Sequence, residues 1–425
     1  MIPKKMPAMI FAMAFGGRVI YNVNLMRQLT TAGRTTHMPQ TRTGGFADDR
    51  FSAAREAFEA NFANGEELGA SFCATVEGET VVDLWGGYAD EEKSRPWARD
   101  TIVNVYSITK TMTALTALLL ADRGELDFSA PVASYWPEFA ANGKDRITVA
   151  QLMSHTSGLS GWRPAVSGAD FYDWDKVTSM LAAQAPLWEP GTASGYHVYT
   201  FGFLIGEVVR RITGKSLGTV FREEIAEPLG ADFWIGLPGS EDHRVANLAG
   251  GESPPGTANL QLTDVQRITF IDTQTDVPST RTRVWRGAEI PAANGHGNAR
   301  SIAEIHALLA NGGVAKGKRI MSEAGCRKAL EQQIDGPDLA MGRRQVRFGL
   351  GFGLPSAILA LTPLNPNSLF WAGGGGSFVL IDVDARTTFA YAMNKMQRSL
   401  MGDERSFRII RAMWQALGAG PEKAA

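Results

Sequence analysis

Most of the information about the architecture of this chain lies in residues 105–124, which read VYSITKTMTALTALLLADRG. Residues 112–121 carry no charged side chain, and Gly124 follows as a terminator. A helix that is apolar on all sides is buried inside a protein. The segment therefore predicts a helix in the centre of the core, beginning at Ser107 and ending at Arg123.

The start of this predicted helix carries the only Ser-x-x-Lys pattern in the sequence, formed by Ser107 and Lys110. Residues three apart lie on the same face of a helix, so the hydroxyl and the amine would be neighbours. A serine needs a base to act as a nucleophile, and a lysine removed from water can lose its proton near neutral pH. The pattern therefore indicates a nucleophile and its partner, although it is also expected about once by chance in such a chain.

Composition excludes several classes of protein. The 425 residues include 42 basic and 44 acidic side chains, a net charge of -2, so we expect no nucleic-acid partner. Two distant cysteines and six histidines without a His-Glu-x-x-His pattern predict no disulfide, no metal and no cofactor. No apolar run approaches the roughly 20 residues that a membrane span requires.

The first 47 residues differ from the rest of the chain because they contain six basic residues and no acidic one. An apolar run follows Lys4 and Lys5, but Pro7 interrupts it. The run is also shorter than the apolar core of about 7–15 residues in a signal peptide. We therefore predict a cytoplasmic rather than a secreted protein, with a basic extension over residues 1–45 and a single catalytic domain over residues 46–425.

The order of predicted elements gives the fold class. A helical pattern covers residues 47–64 and the last helical pattern covers residues 403–417; strand-like runs lie at 68–76, 80–85, 101–105, 346–353, 377–383 and 388–393. This order predicts an α/β fold of the α+β type, in which an antiparallel sheet is built from both chain ends and flanked by helices. The sheet part would cover about residues 46–110 and 340–425, and a mostly helical subdomain would cover about residues 111–339.

Several segments in the same order resemble one family of proteins. They are VYSITK at 105–110, LMSHTSGL at 152–159, PGTASGY at 190–196 and FWAGGGGS at 370–377. Together they are similar to the motifs of class C β-lactamases, penicillin-binding proteins and family VIII carboxylesterases. The resemblance covers roughly residues 46–417 and implies a β-lactamase/transpeptidase-like fold.

The resemblance also implies roles for individual residues. Ser107 would be the acylated nucleophile, and Lys110 and Tyr196 would be its proton-transfer partners. The backbone N–H groups of Ser107 and Gly374 would form the oxyanion hole. Lys110 and Tyr196 form one coupled unit, so the sequence leaves open which of them is the formal base.

Two departures from the family pattern bear on the substrate. Val198 stands where β-lactamases and transpeptidases usually carry asparagine, and Trp371-Ala372-Gly373 stands where they usually carry Lys-Thr-Gly. The missing amide and ammonium are the groups expected to bind a β-lactam, whereas Trp-x-Gly is similar to the family VIII esterases. We therefore expect hydrolysis of short-acyl esters to dominate, with at most weak cephalosporin hydrolysis.

A cluster of aromatic residues between Trp162 and Trp188 has two interpretations. It would form either a wall of the substrate pocket or the core of the helical part. From this cluster we take Trp174 as a substrate-binding candidate, together with Val198, Trp371, Ala372 and Gly373.

Two other functional hypotheses compete with the esterase. The first is a true class C β-lactamase or D-alanyl-D-alanine carboxypeptidase, against which Val198 and Trp371 argue. The second is a non-catalytic, ligand-binding relative. A binding protein would have no need for Ser107, Lys110 and Tyr196 together, which argues against the second hypothesis. The expected partner is a small-molecule ester, with β-lactams as a further class.

Other polar residues in suggestive contexts need separate interpretation. Residues 214–218 match Gly-x-Ser-x-Gly around Ser216, but that motif needs a preceding strand. Here a helical pattern precedes it, so we predict that Ser216 caps a helix and is not catalytic. His155 is expected to hold a turn together, while His197 and His296 are weak candidates for substrate contact.

Overall fold

The computed structural model describes residues 42–250, 261–272, 276–356 and 364–418. Its main sheet has six antiparallel strands in the order β1-β3-β2-β15-β14-β13. The strands are β1 (Thr43–Ala47), β2 (Gly69–Val76), β3 (Glu79–Gly87), β13 (Ser368–Ala372), β14 (Phe378–Asp382) and β15 (Thr387–Met393). The pairing of β2 with β15 joins the two ends of the chain, so the predicted sheet is confirmed.

Helices cover both faces of this sheet. One face packs against α1 (Ser52–Ala63) and α12 (Glu404–Leu417), and the other packs against α10 (Ala299–Ala310). Side chains alternate between the faces of a strand. On β15, accordingly, Phe389 and Tyr391 join the apolar cluster of α1 and α12, whereas Ala390 joins the cluster on the α10 side. Because both faces are covered, the central strands are buried on both sides.

The helical part surrounds α2 (Thr109–Asp122), in which every residue from Thr109 to Leu120 is buried. It packs against α5 (Thr200–Thr213), α6 (Leu217–Phe221) and α11 (Glu323–Arg327). The remaining helices are α3 (Val149–Met153), α4 (Trp174–Ala183), α7 (Glu227–Leu229), α8 (Asp264–Phe270) and α9 (Arg283–Gly287). The predicted central helix is therefore present, but its regular α-helical part starts at Thr109, after a 3₁₀ turn at Tyr106–Ile108.

Short strands complete the structure. A small four-stranded sheet has the order β5-β8-β4-β6, and two hairpins and one parallel pair lie outside it. The bounds are β4 (Ile102–Asn104), β5 (Phe233–Trp234), β6 (Val245–Ala246), β7 (Ala249–Gly250), β8 (His296–Gly297), β9 (Val314–Ala315), β10 (Lys318–Arg319), β11 (Ile334–Asp338), β12 (Arg344–Phe348) and β16 (Lys395–Met396). The strand-like run at 101–105 thus pairs in the small sheet and not in the main one.

The structure moves two of the predicted boundaries. The main sheet already begins at Thr43, because β1 pairs with β3 along the sheet edge; the predicted extension over residues 1–45 lies otherwise outside the described residues. Helix α10 falls within the range predicted for the helical subdomain but packs on β2 and β15. Its apolar face was visible in the sequence, but the partner of that face was not. In the described part of the chain, no helix is both long enough and apolar enough to cross a bilayer.

Candidate active site

Ser107 lies in the tight turn that joins β4 to α2. Tyr106, just before it, has a φ of 44°, which is uncommon for a residue with a side chain. The turn is held from behind: the Thr109 hydroxyl donates to the Tyr106 carbonyl at 2.5 Å and accepts from the Gly295 N–H at 2.8 Å. Ser107 is therefore presented on a fixed turn at the start of a buried helix.

Three side chains predicted to act together meet at this turn. The Ser107 Oγ lies 3.1 Å from the Lys110 Nζ and 2.7 Å from the Tyr196 hydroxyl. The Lys110 Nζ also lies 4.8 Å from the centre of the Tyr196 ring. The structure thus brings together a hydroxyl, an amine and a phenol that are 89 residues apart at most.

Lys110 has an environment that favours its neutral form. Its Nζ donates to the carbonyls of Val198 at 2.7 Å and Ala292 at 2.9 Å, and no carboxylate pairs with it among the described residues. Burial lowers the pKa of Lys110 well below its ordinary value, because a buried ammonium loses its hydration. The same burial raises the pKa of the Tyr196 phenol. These two carbonyls carry no signal in the sequence, since any residue could supply them.

A buried carboxylate positions the Tyr196 segment. Asp338, at the end of β11, accepts hydrogen bonds from the Tyr196 N–H at 3.2 Å, the Ser194 hydroxyl at 2.9 Å and the Met341 N–H at 2.8 Å. These bonds tie residues 194–196 to β11, which is 142 residues away in sequence. Asp338 was not predicted from the sequence, because an isolated aspartate in a loop-like stretch shows no pattern.

The three histidines considered from the sequence are buried and lie outside the described lining of the cleft. His155 has a φ of 62°, and its ring packs 5.1 Å from Tyr196 and 5.7 Å from Trp371. Its Nδ1 accepts from the His197 N–H at 3.2 Å, in keeping with the predicted turn-holding role. Burial lowers the pKa of His197 and of His296 to about 3. Because His197 and His296 are buried and do not line the cleft, their positions do not fit the predicted contact with substrate.

The third motif lies at the edge of the main sheet. Strand β13 ends in a turn at residues 373–376, whose closing bond joins the Gly373 N–H to the Ser377 carbonyl at 2.8 Å. A side chain at Gly373 would meet the Val105 carbonyl at 2.2 Å, so glycine is required there. Gly374 lines the cleft beside Ser107, and its N–H has no acceptor among the described residues.

The cleft in front of Ser107 holds about 1040 Å³ of space, including its open mouth, and its lining is predominantly apolar. Three of the five predicted substrate-binding residues line it, namely Val198, Trp371 and Ala372. Gly373 lies behind the lining, against Val105. The other apolar residues of the described wall were not predicted to bind substrate: Tyr106, Tyr199, Phe270, Met341, Val346, Phe348, Phe370, Leu400 and Met401.

Trp174 is the one predicted substrate-binding residue that the structure puts in a different region. Its ring packs 5.1 Å from Phe203, and its Nε1 donates to the Glu207 carboxylate at 2.8 Å. It is not among the described residues that line the cleft. Trp174 is half-buried against the core of the helical part, in which Trp162 and Phe171 are fully buried. The core interpretation of this aromatic cluster is therefore correct for Trp174, and the pocket interpretation is wrong for it.

Ser216 has the surroundings of a helix cap. Gly214 ends α5 in a left-handed conformation, and the Ser216 Oγ accepts from the Thr219 N–H at the start of α6. Its hydroxyl donates to Glu289 at 2.6 Å. A helix precedes it instead of a strand, as the sequence predicted. Within the described ranges, no group of histidine, cysteine, aspartate and glutamate side chains is arranged to hold a metal.

Comparison with known proteins agrees with this geometry. The β-lactamase family model matches residues 54–412. The chain is 46% identical to a crystal structure of a family VIII carboxylesterase, with a TM-score of 0.84 over 88% of this chain and 100% of that one. It is 40% identical to a penicillin-binding protein homologue from Caulobacter crescentus, with a TM-score of 0.82 over 88% and 100%.

A curated relative gives the same result. The esterase/β-lactamase LipL of Mycobacterium tuberculosis is 35% identical over 382 residues, which is 85% of each chain. The family resemblance seen in the sequence motifs is thereby confirmed. The chain belongs to the β-lactamase family of serine hydrolases, and the family VIII carboxylesterases are among its relatives.

Proposed function

We propose that this protein is a carboxylesterase that hydrolyses short, uncharged carboxylic esters through an acyl-enzyme on Ser107. The observation that carries the proposal is the shared hydrogen bonding of the Ser107 Oγ, at 3.1 Å from the Lys110 amine and 2.7 Å from the Tyr196 phenol. A serine with a proton acceptor on one side and a proton carrier on the other is the arrangement that nucleophilic catalysis needs.

In the acylation step, Lys110 takes the Ser107 proton as the Oγ attacks the ester carbonyl. Two features support Lys110 as the base: burial lowers its pKa and raises the pKa of Tyr196. A neutral amine accepts a proton readily, whereas a phenol with a raised pKa is held in its protonated form. Tyr196 then passes a proton to the leaving alcohol and is reprotonated from Lys110.

The tetrahedral oxyanion forms where backbone donors are available. Gly374 lines the cleft next to Ser107 and has an N–H without an acceptor in the described structure. Together with the Ser107 N–H, it would stabilise the developing charge, and one such donor contributes about 3 kcal/mol to transition-state stabilisation. Water then attacks the acyl-enzyme by the same route, which releases the acid and restores Ser107.

The lining of the cleft supports an uncharged substrate. Trp371 occupies the place where an ammonium would meet an anionic ligand, and the cleft wall around it is aromatic and aliphatic. Arg347 is the cationic residue in the described lining, but its guanidinium already donates to Gln332 at 2.9 Å and to the Pro355 carbonyl at 3.0 Å. These bonds engage two of its five N–H groups, so one cation faces a substrate carboxylate across a cleft that is otherwise apolar in its described lining. This lining suits an uncharged ester better than an anionic β-lactam.

Weak cephalosporin hydrolysis is a second candidate activity, because a relative with 35% identity is called an esterase/β-lactamase. Both activities would use the same Ser107 acyl-enzyme. They differ in whether the cleft accepts an anionic bicyclic ring system or an uncharged ester. We propose that the ester is much the better substrate.

The test is a panel of p-nitrophenyl esters from acetyl to palmitoyl, with nitrocefin alongside, on the wild type and Ser107→Ala. We expect turnover of the short esters, with its loss in the variant and slow nitrocefin hydrolysis. Ser216→Ala is the matched control. Faster turnover of nitrocefin than of any ester would instead make this chain a β-lactamase. Failure of a fluorophosphonate probe to label Ser107 in the folded protein would favour a binding function.

A further inference from the structure

A buried arginine lies directly behind the turn that carries Gly374. Arg405 occupies the second position of α12, and its side chain is 3% exposed. Its Nη2 donates to the Gly375 carbonyl at 2.9 Å, and its Nη1 donates to the Lys395 carbonyl at 2.8 Å. One guanidinium thus binds both the 373–376 turn and the chain segment next to it.

Two carboxylates hold this guanidinium in place. Asp403 accepts from its Nε at 3.0 Å and from its Nη2 at 2.7 Å, and Glu67 accepts from its Nη1. Glu67 is itself fixed by the Tyr391 hydroxyl at 2.5 Å. An arginine has five N–H donors in a rigid, planar fork, and all five are used here. Its orientation is therefore determined from both sides.

The turn packs closely against Arg405. A side chain at Gly376 would lie 2.4 Å from the Arg405 Nη2 and 2.5 Å from an Asp403 oxygen. Gly376 also has a φ of +131°, which favours glycine. The Gly375 carbonyl accepts a second hydrogen bond, from the Gln397 N–H at 2.8 Å. These bonds restrain the peptide plane that joins Gly375 to Gly376. The plane that joins Gly374 to Gly375 is restrained by its own N–H, which donates to the Ser399 carbonyl at 3.2 Å.

We propose that Arg405 is a positioning residue for the oxyanion-binding turn. Through the Gly375 carbonyl it holds the peptide that joins Gly375 to Gly376, and so fixes the turn from which the Gly374 N–H points toward the oxygen of the tetrahedral intermediate. The inference rests on the proposed ester hydrolysis and adds a residue on the far side of the turn, which substrate does not touch. Its effect should fall on the transition state, because the donor must be in place before charge develops.

A stabilising role alone does not explain this arrangement well. Buried ion pairs usually stabilise a fold no better than apolar residues of similar volume. Here Arg405 and Glu67 are buried and Asp403 is half-buried. The donors left over from the carboxylates go to carbonyls of the turn and its neighbour. Small displacements of a catalytic group reduce rates strongly, so a rigid support for one peptide has a functional consequence.

The main test is Arg405→Lys, which keeps the charge but loses the planar fork. We expect the kcat for a short p-nitrophenyl ester to fall about 10- to 100-fold, with KM changed by less than about 3-fold. The affinity of a boronic acid that forms a tetrahedral adduct on Ser107 should fall with kcat. The matched control is Arg408→Lys on the same helix, where the arginine bonds to Glu66 and Asn61 and not to the turn.

The control variant should keep kcat within about 2-fold of the wild type. Equal losses in the two variants, or a loss in Arg405→Lys that appears in KM and not in kcat, would overturn the proposal. Thermal unfolding of both variants shows whether folded protein is being compared.

A second variant keeps the test decisive if Arg405→Lys does not fold. The groups that face the Glu67 carboxylate are Arg405 and Asp403 from the start of α12 and Tyr391 from β15, and burial raises the pKa of Glu67 to about 7. Glu67→Gln keeps the shape and removes the charge. Its kcat should be reduced about 3- to 10-fold at pH 8.5 and should approach that of the wild type at pH 6, where Glu67 is protonated. A kcat ratio that is the same at both pH values would contradict the role of the charge.

A measurement without substrate separates this inference from the proposed function. In protein labelled with ¹⁵N-glycine, the amide signals of Gly374 and Gly375 should shift in Arg405→Lys and stay in place in Arg408→Lys. Unchanged signals would refute the positional role even in an active esterase. Shifted signals in a protein that hydrolyses no ester would support the positional role and reject the catalytic function.

Discussion

Two serines at the starts of two helices show how little a motif decides by itself. Ser107 and Ser216 each precede a helix of the helical part, and each belongs to a pattern associated with nucleophilic serines. Ser107 meets the Lys110 amine and the Tyr196 phenol. Ser216 meets the Glu289 carboxylate and the first turn of its own helix. The residue type is the same, and the partners differ.

The difference lies in the direction in which a proton can move. In the proposed mechanism, the neutral form of Lys110 accepts a proton from Ser107. No carboxylate holds its ammonium form within the part of the chain that the structure describes. Ser216 already donates to Glu289 at 2.6 Å, and its oxygen accepts from a backbone N–H of α6. Its hydroxyl is engaged in ending one helix and starting another, and it has no part in the described lining of the cleft.

The largest expected effect comes from removing each hydroxyl in turn. Ser107→Ala should reduce kcat/KM for p-nitrophenyl acetate by about 10⁵-fold or more, because no acyl-enzyme can form. Ser216→Ala should leave kcat/KM within about 2-fold and lower the free energy of unfolding by about 1 kcal/mol through the lost cap. Ester kinetics and urea denaturation measure the two effects. A large loss of activity in Ser216→Ala would abolish the distinction between the two serines.

The second-largest loss of activity is expected from replacing Lys110, which lies near Ser107, and Lys215, which precedes Ser216, serves as its control. Lys110→Met should reduce kcat by about 10³-fold, since it removes the proposed base. Lys215→Met should leave activity unchanged, because Lys215 is exposed and pairs with Glu223 on the surface. Single-turnover acylation followed at 400 nm would show the loss in the first chemical step. Normal acylation with slow deacylation in Lys110→Met would move the role of Lys110 to the second step.

The pH dependence sharpens the assignment of the base. Burial lowers the pKa of Lys110, so its active neutral form is present above that lowered pKa and is lost as the pH falls through it. The kcat/KM of the wild type should therefore fall about tenfold per pH unit on the acid side and stay level through pH 8 to 9. Tyr196→Phe should lower the plateau and keep the same acid limb. If the decrease of kcat/KM at low pH disappears in Tyr196→Phe, the group that titrates is Tyr196 and not Lys110.

A smaller effect is expected from two carboxylates, Asp338 beside Tyr196 and Glu289 beside Ser216. Asp338→Asn weakens the bonds to the Tyr196 N–H and the Ser194 hydroxyl, so kcat should fall about 10-fold with little change in KM. Glu289→Gln makes the same chemical change beside Ser216 and should leave kcat as it is. Steady-state kinetics together with thermal unfolding distinguishes a shifted Tyr196 from a partly unfolded protein. Equal kcat values for Asp338→Asn and Glu289→Gln would show that Asp338 does not position Tyr196 for catalysis.

Local sequence patterns predicted the elements that carry the chemistry. The apolar run after Ser107 predicts a buried helix, and the strand-like runs at both chain ends predict a sheet flanked by helices, which α1 and α12 cover on one side. The spacing of Ser107 and Lys110 on one turn predicted their contact. These features are local, because helix and strand periodicity act over a few residues.

Contacts between distant segments required the tertiary structure. Trp174 carries the same apolar character in a pocket as in a core, and the packing of α4 on α5 decides for the core. The support of Tyr196 by Asp338 and of the 373–376 turn by Arg405 depends on chain pairings more than 140 and about 30 residues apart. Periodicity determines which face of an element is buried. Only the packed structure determines which partner covers that face, because many partners satisfy the same apolar pattern.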